Sequence, residues 1–236
     1  MSEPKADFTD KAVELMRKAD AGDAKAQHTF ATYLLKEEDF SYRKDLAPDE
    51  IKRGMNYLKK AAAQGYFQGL AAIDLGDIYY RGEILPKAYK QAKLWYNTAM
   101  LKNNPAAAYM LGECAYYGYD EDVSYEKAVA LYIQAAPRFI DAVLRLGNLY
   151  ARSEYLPYDP EFAKTIYEFV LDEEEKLYKK HNFYSDAYNK VIRNLEELKR
   201  DKRSRQSESI EETEGQANAR KTLLEIIRKK RDRTSG

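Results

Sequence analysis

The stretch "LGDIYYRG", residues 75–82, is unexpected in a sequence that otherwise favours helix. A glycine inside a helix costs about 1 kcal/mol relative to alanine, yet Gly76 follows a leucine in the middle of a predicted helix. Two related stretches come later, "LGECAYYG" from Leu111 and "LGNLYARS" from Leu146, so the pair recurs every 35 or 36 residues. Such a period is typical of a helical repeat protein.

A second pattern follows each leucine–glycine pair. A looser first copy joins residues 26–35, where Phe30-Ala31 replaces the pair, to residues 54–65. Apolar residues recur at spacings of three and four, so each unit is predicted to be helix A, a connector and helix B. The three regular copies of the second pattern begin with alanine and carry tyrosine four residues later: "AKLWYNTAM" (92–100), "AVALYIQAA" (128–136) and "AKTIYEFVL" (163–171).

Packing explains the recurring glycines better than chemistry does. No leucine–glycine pair precedes the GxGxxG or GxxxxGKS/T pattern of a nucleotide-binding loop. We therefore predict that neighbouring helices approach each other closely at Gly76, Gly112 and Gly147. Gly82 and Gly118 stand seven residues after their leucines, where a helix that ends in the left-handed conformation favours glycine. The repeat tyrosines are predicted to lie in the core: Tyr79, Tyr96, Tyr132, Tyr150 and Tyr167.

The repeats predict an all-α protein. Single helical hairpins cannot bury their apolar faces, whereas stacked hairpins share a continuous core. The predicted fold is a right-handed α/α solenoid of stacked antiparallel helix pairs. We expect this solenoid at 8–172, with about four units after an N-terminal half-unit helix. Capping helices are expected at 173–203, and a flexible linker with a basic amphipathic tail at 204–236.

The overall charge does not favour a nucleic-acid or membrane surface. The chain has 39 basic and 39 acidic residues, but residues 1–175 hold 22 basic and 29 acidic side chains, against 17 and 10 in 176–236. No segment approaches the roughly 18 apolar residues of a membrane span, and the first residues lack a signal-peptide stretch. We expect a cytoplasmic protein that does not bind membranes.

The sequence contains no recognisable catalytic or metal-binding motif. His28 and His181 are far apart in the chain, and a single cysteine cannot complete a zinc site with them. Cys114 has no histidine placed to activate it, so we expect a buried structural thiol. The acidic stretch 119–126 lacks the central glycine of a calcium loop, and we interpret it as a connector in which Ser124 caps the next helix. We therefore expect no enzymatic activity, no metal and no cofactor.

The C-terminal quarter departs from the repeat pattern. Residues 184–203 are predicted to form one amphipathic helix that caps the last repeat. Residues 220–233 form a short amphipathic segment that is too small to be stable alone. This segment docks either on the body or on a partner, and the sequence does not decide between the two. The apolar stripe of the capping helix is predicted to consist of Tyr188, Val191, Ile192, Leu195 and Leu198.

The quoted motifs resemble the Sel-1-like repeat, a relative of the tetratricopeptide repeat. The shared pattern is A-x-x-x-L-G-x-x-Y-x-x-G, a loop, and K-A-x-x-W-Y-x-x-A-A. Residues 71–82 with 92–100 match it best, and the resemblance covers roughly residues 8–172. Ala115 and Ser153 depart from it, at an expected tyrosine and an expected final glycine. Some secreted members pair cysteines within each repeat, which a chain with one cysteine cannot do.

The resemblance implies a non-catalytic scaffold or adaptor that captures a peptide or helix of a partner protein on its concave surface. By analogy with tetratricopeptide geometry, side chains at particular positions of the A helices would line that surface. Tyrosine suits such a role because it gives a large contact area and a hydroxyl at small entropic cost. An alternative is a nucleic-acid-associated regulator that acts through the basic tail. The predicted protein-binding residues are His28, Asp77, Tyr80, Tyr109, Glu113, Tyr116 and Asn148.

Overall fold

The computed structural model describes residues 6–37, 41–152, 155–182, 184–200 and 212–232. These ranges contain eleven helices and no strand, and one isolated antiparallel bridge joins Lys36 to Tyr42. The predicted all-α class is therefore confirmed. The helices are α1 (Ala6–Asp20), α2 (Ala24–Leu35), α3 (Pro48–Ala63), α4 (Tyr66–Arg81), α5 (Tyr89–Met100), α6 (Pro105–Tyr117), α7 (Tyr125–Ala135), α8 (Ile140–Arg152), α9 (Pro160–His181), α10 (Asp186–Arg200) and α11 (Glu214–Asp232).

The chain divides into two compact units, residues 1–107 and 108–236. Unit 1 contains α1 to α5, and unit 2 contains most of α6 and all of α7 to α11. In unit 1, α1 packs on α2, α2 on α3, α3 on α4 and α4 on α5. In unit 2, α7 packs on α8 and α8 on α9. Because these helices pack on their neighbours in the sequence, both units are built from helical hairpins.

Two contacts show that α4 and α5 run antiparallel. Near the start of α4, a Cβ added to Gly69 would lie 2.9 Å from the Cα of Ala99, close to the end of α5. Near the end of α4, the carbonyl oxygen of Tyr79 accepts a hydrogen bond of 2.9 Å from the amide of Ala88, just before α5 begins. Residue numbers therefore rise along α4 as they fall along α5.

The repeat glycines lie directly against the rings of the repeat tyrosines. An added Cβ would come within 2.3 Å of a ring atom at Gly76, 2.6 Å at Gly112 and 2.9 Å at Gly147. Real Cβ atoms do not approach neighbours at the shorter of these distances, so glycine is required for the ring to fit. The prediction that these glycines serve packing is confirmed. The pairs are Gly76 with Tyr96, Gly112 with Tyr132 and Gly147 with Tyr167.

The first repeat uses different residues at the same two positions. Ala31 stands where the later repeats have glycine, and Leu58 stands where they have tyrosine. Both side chains are buried, at 0% and 2% exposure. A larger residue on helix A is thus matched by a smaller one on helix B. One turn away the small residue is on helix B and the large one on helix A. There Gly54 of α3 faces Leu35 of α2, and an added Cβ would meet the leucine at 2.6 Å.

Helix ends follow the predicted turn chemistry. Gly82 and Gly118 have φ of 71° and 70°, the left-handed conformation that glycine adopts without a steric cost. The amide of Gly82 donates to the carbonyl oxygen of Ile78 at the end of α4. Ser124 caps α7 by accepting a hydrogen bond of 3.3 Å from the amide of Lys127. These predicted turns and this cap are confirmed.

The capping helix α10 is anchored by a buried carboxylate. Glu174 of α9 is 2% exposed and accepts hydrogen bonds from the amide and the hydroxyl of Ser185, at 2.8 and 2.7 Å. A negative charge at this helix N-terminus also interacts favourably with the helix dipole. The predicted apolar stripe is wrong at Ile192, which is 38% exposed. Val191 is buried as predicted, and Ala187, which lies one turn earlier and is not part of the predicted stripe, is also buried on the face that packs against α8 and α9.

The C-terminal segment forms α11 and packs on unit 2. Leu223, Ile226 and Ile227 are buried, and the helix contacts α7. Of the two alternatives for residues 220–233, the structure shows docking on the body. Half of the predicted linker, residues 204–211 of 204–219, lies outside the described residues, and the prediction is wrong for residues 214–219, which form the first turns of α11. The predicted boundary between 172 and 173 lies inside α9, and the division into three segments stays a prediction.

Replacement of Gly76 by alanine should lower the free energy of unfolding by about 1–3 kcal/mol, because the new Cβ overlaps the ring of Tyr96. The gain of about 1 kcal/mol in helix propensity is included in this range. The loss should be smaller for Gly112→Ala and smallest for Gly147→Ala, in the order of the Cβ distances. Chemical denaturation followed by circular dichroism measures these values.

Gly215→Ala is the matched control, since a Cβ there meets nothing within 4 Å; this variant should be unchanged or slightly more stable. The double variant Gly76→Ala/Tyr96→Leu copies the Ala31 and Leu58 pair of the first repeat. The double variant should lose less free energy of unfolding than the sum of the losses in the two single variants. Strict additivity would contradict the proposed steric coupling.

Candidate interaction surface

The half-exposed side chains of the A helices form the candidate surface. We call this surface the A-helix face; it belongs to α2 and α4 in unit 1 and to α6, α8 and α10 in unit 2. All seven predicted protein-binding residues are half-buried members of it. Unit 1 carries His28, Asp77 and Tyr80, and unit 2 carries Tyr109, Glu113, Tyr116 and Asn148.

In unit 1, an ionic cluster joins α2 to α4. Asp74 lies 2.6 Å from the Nε2 atom of His28 and 3.1 Å from the Nζ atom of Lys36. Burial opposes ionisation of Asp74, but the hydrogen bond from His28 and the charge of Lys36 more than offset it and hold the pKa of Asp74 below its usual value. The three side chains are 14–18% exposed, so the cluster is largely shielded from water.

The residue after each repeat glycine accepts a hydrogen bond from the repeat tyrosine. The tyrosine ring packs against the glycine of helix A, and its hydroxyl reaches the side chain of the residue that follows this glycine. A buried tyrosine needs such a partner for its hydroxyl. Three of the predicted binding residues therefore also hold the hairpins together. The donors and acceptors are Tyr96 and Asp77 at 2.8 Å, Tyr132 and Glu113 at 2.5 Å, and Tyr167 and Asn148 at 2.8 Å.

The half-buried position of Asp77 makes ionisation of its carboxyl less favourable. Burial raises the pKa of Asp77, although the hydrogen bond from Tyr96 works in the opposite direction. Tyr80 packs beside this pair, with its ring centroid 5.6 Å from that of Tyr89 and 6.4 Å from that of Tyr96. Asp77 and Tyr80 thus form a patch on α4 in which a carboxyl lies beside aromatic surface.

In unit 2, Arg145 of α8 organises the A-helix face. Its guanidinium lies 4.2 Å from the ring centroid of Tyr116, and its Nε atom lies 2.9 Å from Glu113. Its Nη2 atom donates a hydrogen bond of 2.9 Å to the hydroxyl of Tyr117. A cation over an aromatic face is stabilised by the ring quadrupole. Tyr109 lies nearer the start of α6, with its ring 5.2 Å from that of Phe139.

The C-terminal end of the A-helix face is covered by α10. Asn148 accepts hydrogen bonds from both Tyr167 and Asn194 of α10, at 2.8 and 2.7 Å. Lys190 of α10 lies 3.9 Å from Asp141 of α8. Asn148 therefore contributes to the attachment of the cap, whereas Tyr116 and Arg145 are half-buried and contact each other.

Sequence reasoning missed Asp74 and Arg145, which link successive A helices. Both stand two residues before a repeat glycine. Their partners Lys36 and Tyr117 also share a position, five residues after Ala31 and Gly112. The available signal was that both residues stand at the same position of the repeat. That position holds a carboxylate in one repeat and a guanidinium in another, so residue type alone did not reveal its role.

The described part of the chain shows no site for metal chemistry. No group of three or more His, Cys, Asp or Glu side chains is placed to hold a metal ion in these ranges. Cys114 is completely buried, as predicted for a structural thiol. Among the described helices, none combines the length and the apolar character that a bilayer crossing demands.

The sequence profile of the family described as Sel1 repeat matches four segments of the chain, residues 41–66, 69–104, 105–136 and 140–168. The chain belongs to the Sel1 repeat family. The predicted resemblance and the presence of four repeats are confirmed. Sel1 repeat proteins are generally non-catalytic scaffolds for protein–protein interactions.

Two solved structures resemble this Sel1 repeat protein in fold. A protective antigen of uropathogenic Escherichia coli strains, which displays an SLR fold, matches 79% of the chain with a TM-score of 0.59 and 24% identity. The chain spans only 40% of that antigen's length. A Sel1 repeat protein from Oxalobacter formigenes matches 91% of this chain and 76% of its own, with a TM-score of 0.60 and 21% identity. No curated protein matches the sequence.

Replacement of Tyr96 by phenylalanine should lower the free energy of unfolding by about 1–2 kcal/mol, because Asp77 loses its hydroxyl donor in a half-buried position. Tyr150→Phe is the matched control. The hydroxyl of Tyr150 is buried and has no hydrogen-bond partner in the described residues, so its removal should be neutral or stabilising. Equal losses in the two variants, measured by chemical denaturation, would show that the hydroxyl bond contributes nothing specific.

Asp74→Asn should destabilise the chain by about 1–3 kcal/mol at neutral pH, because His28 and Lys36 lose their carboxylate. The pKa of Asp74 is lower in the folded state than in the unfolded state, so its contribution is complete above about pH 4 and disappears as the pH falls through the folded-state pKa. The free energies of unfolding of the parent chain and of Asp74→Asn, measured by denaturation, should therefore converge as the pH falls from neutral to acidic. Asp122→Asn, at an exposed position, is the control, and a pH-independent gap would contradict this assignment.

Proposed function

We propose that this Sel1 repeat protein is a non-catalytic scaffold that captures a peptide or helix of a partner protein on its A-helix face. The observation that supports this most directly is the cluster of Tyr116, Tyr117 and Arg145 in unit 2. Tyrosine and arginine are the residue types that most often dominate binding at protein interfaces. Here the arginine is fixed by Glu113 and by a tyrosine hydroxyl, so little side-chain entropy is lost when a partner binds.

The two units offer different chemistry to a ligand. Unit 1 presents Tyr80 beside Asp77 and the paired cluster around Asp74. Unit 2 presents a half-exposed aromatic surface, in which Tyr117 is 47% exposed. Carboxylates and tyrosine hydroxyls together suit a peptide with polar or basic side chains that can donate hydrogen bonds.

The alternative, a nucleic-acid-associated regulator acting through the basic tail, has less support. Phosphate binding requires available cationic side chains. In α11, three of these side chains lie close to carboxylates of unit 2. Its charge is therefore partly used within the chain, and we keep the scaffold as the proposal. The ion pairs are Arg220 with Asp159 at 2.6 Å, Lys230 with Glu173 at 3.6 Å and Arg231 with Asp172 at 3.9 Å.

Selection of peptides from a random display library against the full-length chain tests this proposal. Peptides that bind the A-helix face should lose at least about tenfold in affinity for Tyr80→Ala/Tyr116→Ala, since truncation of an aromatic hot spot typically costs about 2 kcal/mol. Circular dichroism should show that helicity is kept.

Leu94→Ala is the control, because Leu94 lies on α5 and is 55% exposed; this variant should bind as the parent does. Selected peptides that bind the tyrosine double variant and the parent equally would refute the A-helix face as the capture site. Loss of helicity in the double variant would instead show that these tyrosines are structural.

A further inference from the structure

In unit 2, a groove holds α11 and shows how a helix can bind beside the repeats of this chain. The buried residues Leu223, Ile226 and Ile227 form the apolar side of α11. The helix contacts α7, and Arg220 lies 4.4 Å from the ring centroid of Phe162 at the start of α9. An amphipathic helix thus fills the space beside two successive B helices. This is the helix-in-groove mode of recognition.

Unit 1 has a groove at the same place in its repeats. It has a volume of about 860 Å³ and is lined by Ile51 and Met55 of α3, Tyr79 of α4 and Leu85 of the following loop. Tyr79 is only half-buried where it lines this open groove, which corrects the prediction that Tyr79 lies in the core. We call this groove the α3 groove.

The equivalence of the two grooves follows from the repeat register. Tyr79 and Tyr150 each stand three residues after a repeat glycine, and their carbonyl oxygens accept from the amides of Ala88 and Asp159 at 2.9 and 3.0 Å. Leu85 and Leu156 stand three residues before those two amides. In the unit 2 groove, Tyr150 and Leu156 are each 1% exposed. Their counterparts in unit 1 are half-buried.

The two grooves carry opposite charge. Asp159, Asp172 and Glu173 of the unit 2 groove lie close to basic residues of α11. In the α3 groove, the position of Asp159 is occupied by Ala88, and the rim carries the exposed cations Lys52 and Lys59. Neither lysine has a carboxylate within 4 Å among the described residues.

Two other charged residues line the α3 groove. Arg53 adds a third cation, although its guanidinium also lies over the ring of Phe30 at 5.3 Å. Asp49 is the one acidic residue among those that line the groove in the described chain. The rim is therefore net positive, and a basic helix like α11 would be repelled by it.

We propose that the α3 groove binds an acidic amphipathic helix of a partner protein, in the way that the unit 2 groove binds α11. The apolar floor of Ile51, Met55, Tyr79 and Leu85 would receive the apolar side of that helix, and Lys52 and Lys59 would pair with its carboxylates. Complementary charge at such a rim selects the partner and suppresses the wrong one. This site goes beyond the proposed A-helix face, since it lies beside a B helix.

The test compares two synthetic peptides that differ only in charge. One is the α11 sequence, residues 214–232; the other is the same sequence with each Lys and Arg replaced by Glu. Fluorescence anisotropy against the full-length chain should show that the charge-reversed peptide binds and that the native peptide binds at least about tenfold more weakly. Rising salt should weaken the charge-reversed complex.

Two double variants with the same change of charge show where the charge-reversed peptide binds. Lys52→Glu/Lys59→Glu should weaken the charge-reversed peptide at least about tenfold, whereas Lys25→Glu/Lys44→Glu, with the same change of charge elsewhere in unit 1, should not. Leu85→Ser should also weaken it. The A-helix variant Tyr80→Ala/Tyr116→Ala should bind this peptide normally, so failure of the present proposal and failure of the A-helix face are distinguishable.

Three outcomes would overturn the proposal. Equal or tighter binding of the native α11 peptide that is weakened by Leu85→Ser, and therefore takes place in the α3 groove, would assign the groove to a second copy of this chain. Displacement of the peptide by a single-stranded oligonucleotide, which itself binds through Lys52 and Lys59, would assign it to nucleic acid. Absence of binding by either peptide to a folded chain would show that the α3 groove is not a docking site for a helix.

Discussion

The contact between a glycine of helix A and a tyrosine ring of helix B is the constraint on which each regular hairpin depends. The ring occupies the volume where a Cβ would stand, so the two backbones come close and the tyrosine becomes almost completely buried. Its hydroxyl then emerges beside the next residue of helix A, which accepts its hydrogen bond. Steric fit and polar satisfaction are therefore provided by the same pair of helices.

This arrangement also limits what the A-helix face can offer to a partner. Asp77, Glu113 and Asn148 stabilise the hairpins, and Asn148 in addition attaches α10. The side chains with more freedom to contribute contact area are aromatic, such as Tyr80 and Tyr116. Recognition on this face is thus expected to depend on aromatic surface and on the fixed guanidinium of Arg145, with the carboxylates as supporting groups.

The sequence predicted the hairpins well because steric necessity repeats at a constant spacing, as at Gly76, Gly112 and Gly147. It predicted the cap only in part: Val191 and Ile192 are both apolar but point about 100° apart around the helix, and only packing against α8 and α9 shows that the side of Val191 is the buried one. It did not reveal the roles of Asp74 and Arg145, because charged residues on a helix surface look alike in sequence. The docking of α11 was undecided, since its groove is built by residues about 60 positions earlier, such as Asp159.

The exchange of residues in the first repeat has a consequence for how such arrays can be lengthened or shortened. Ala31 and Leu58 replace the glycine and the tyrosine together, so α2 and α3 suit each other and neither suits the helices of a later repeat. A gene rearrangement with its breakpoint in the connector would join a helix A to a foreign helix B and leave either an overlap or a void. Duplication and loss in this chain should therefore proceed by whole hairpins, with breakpoints between units.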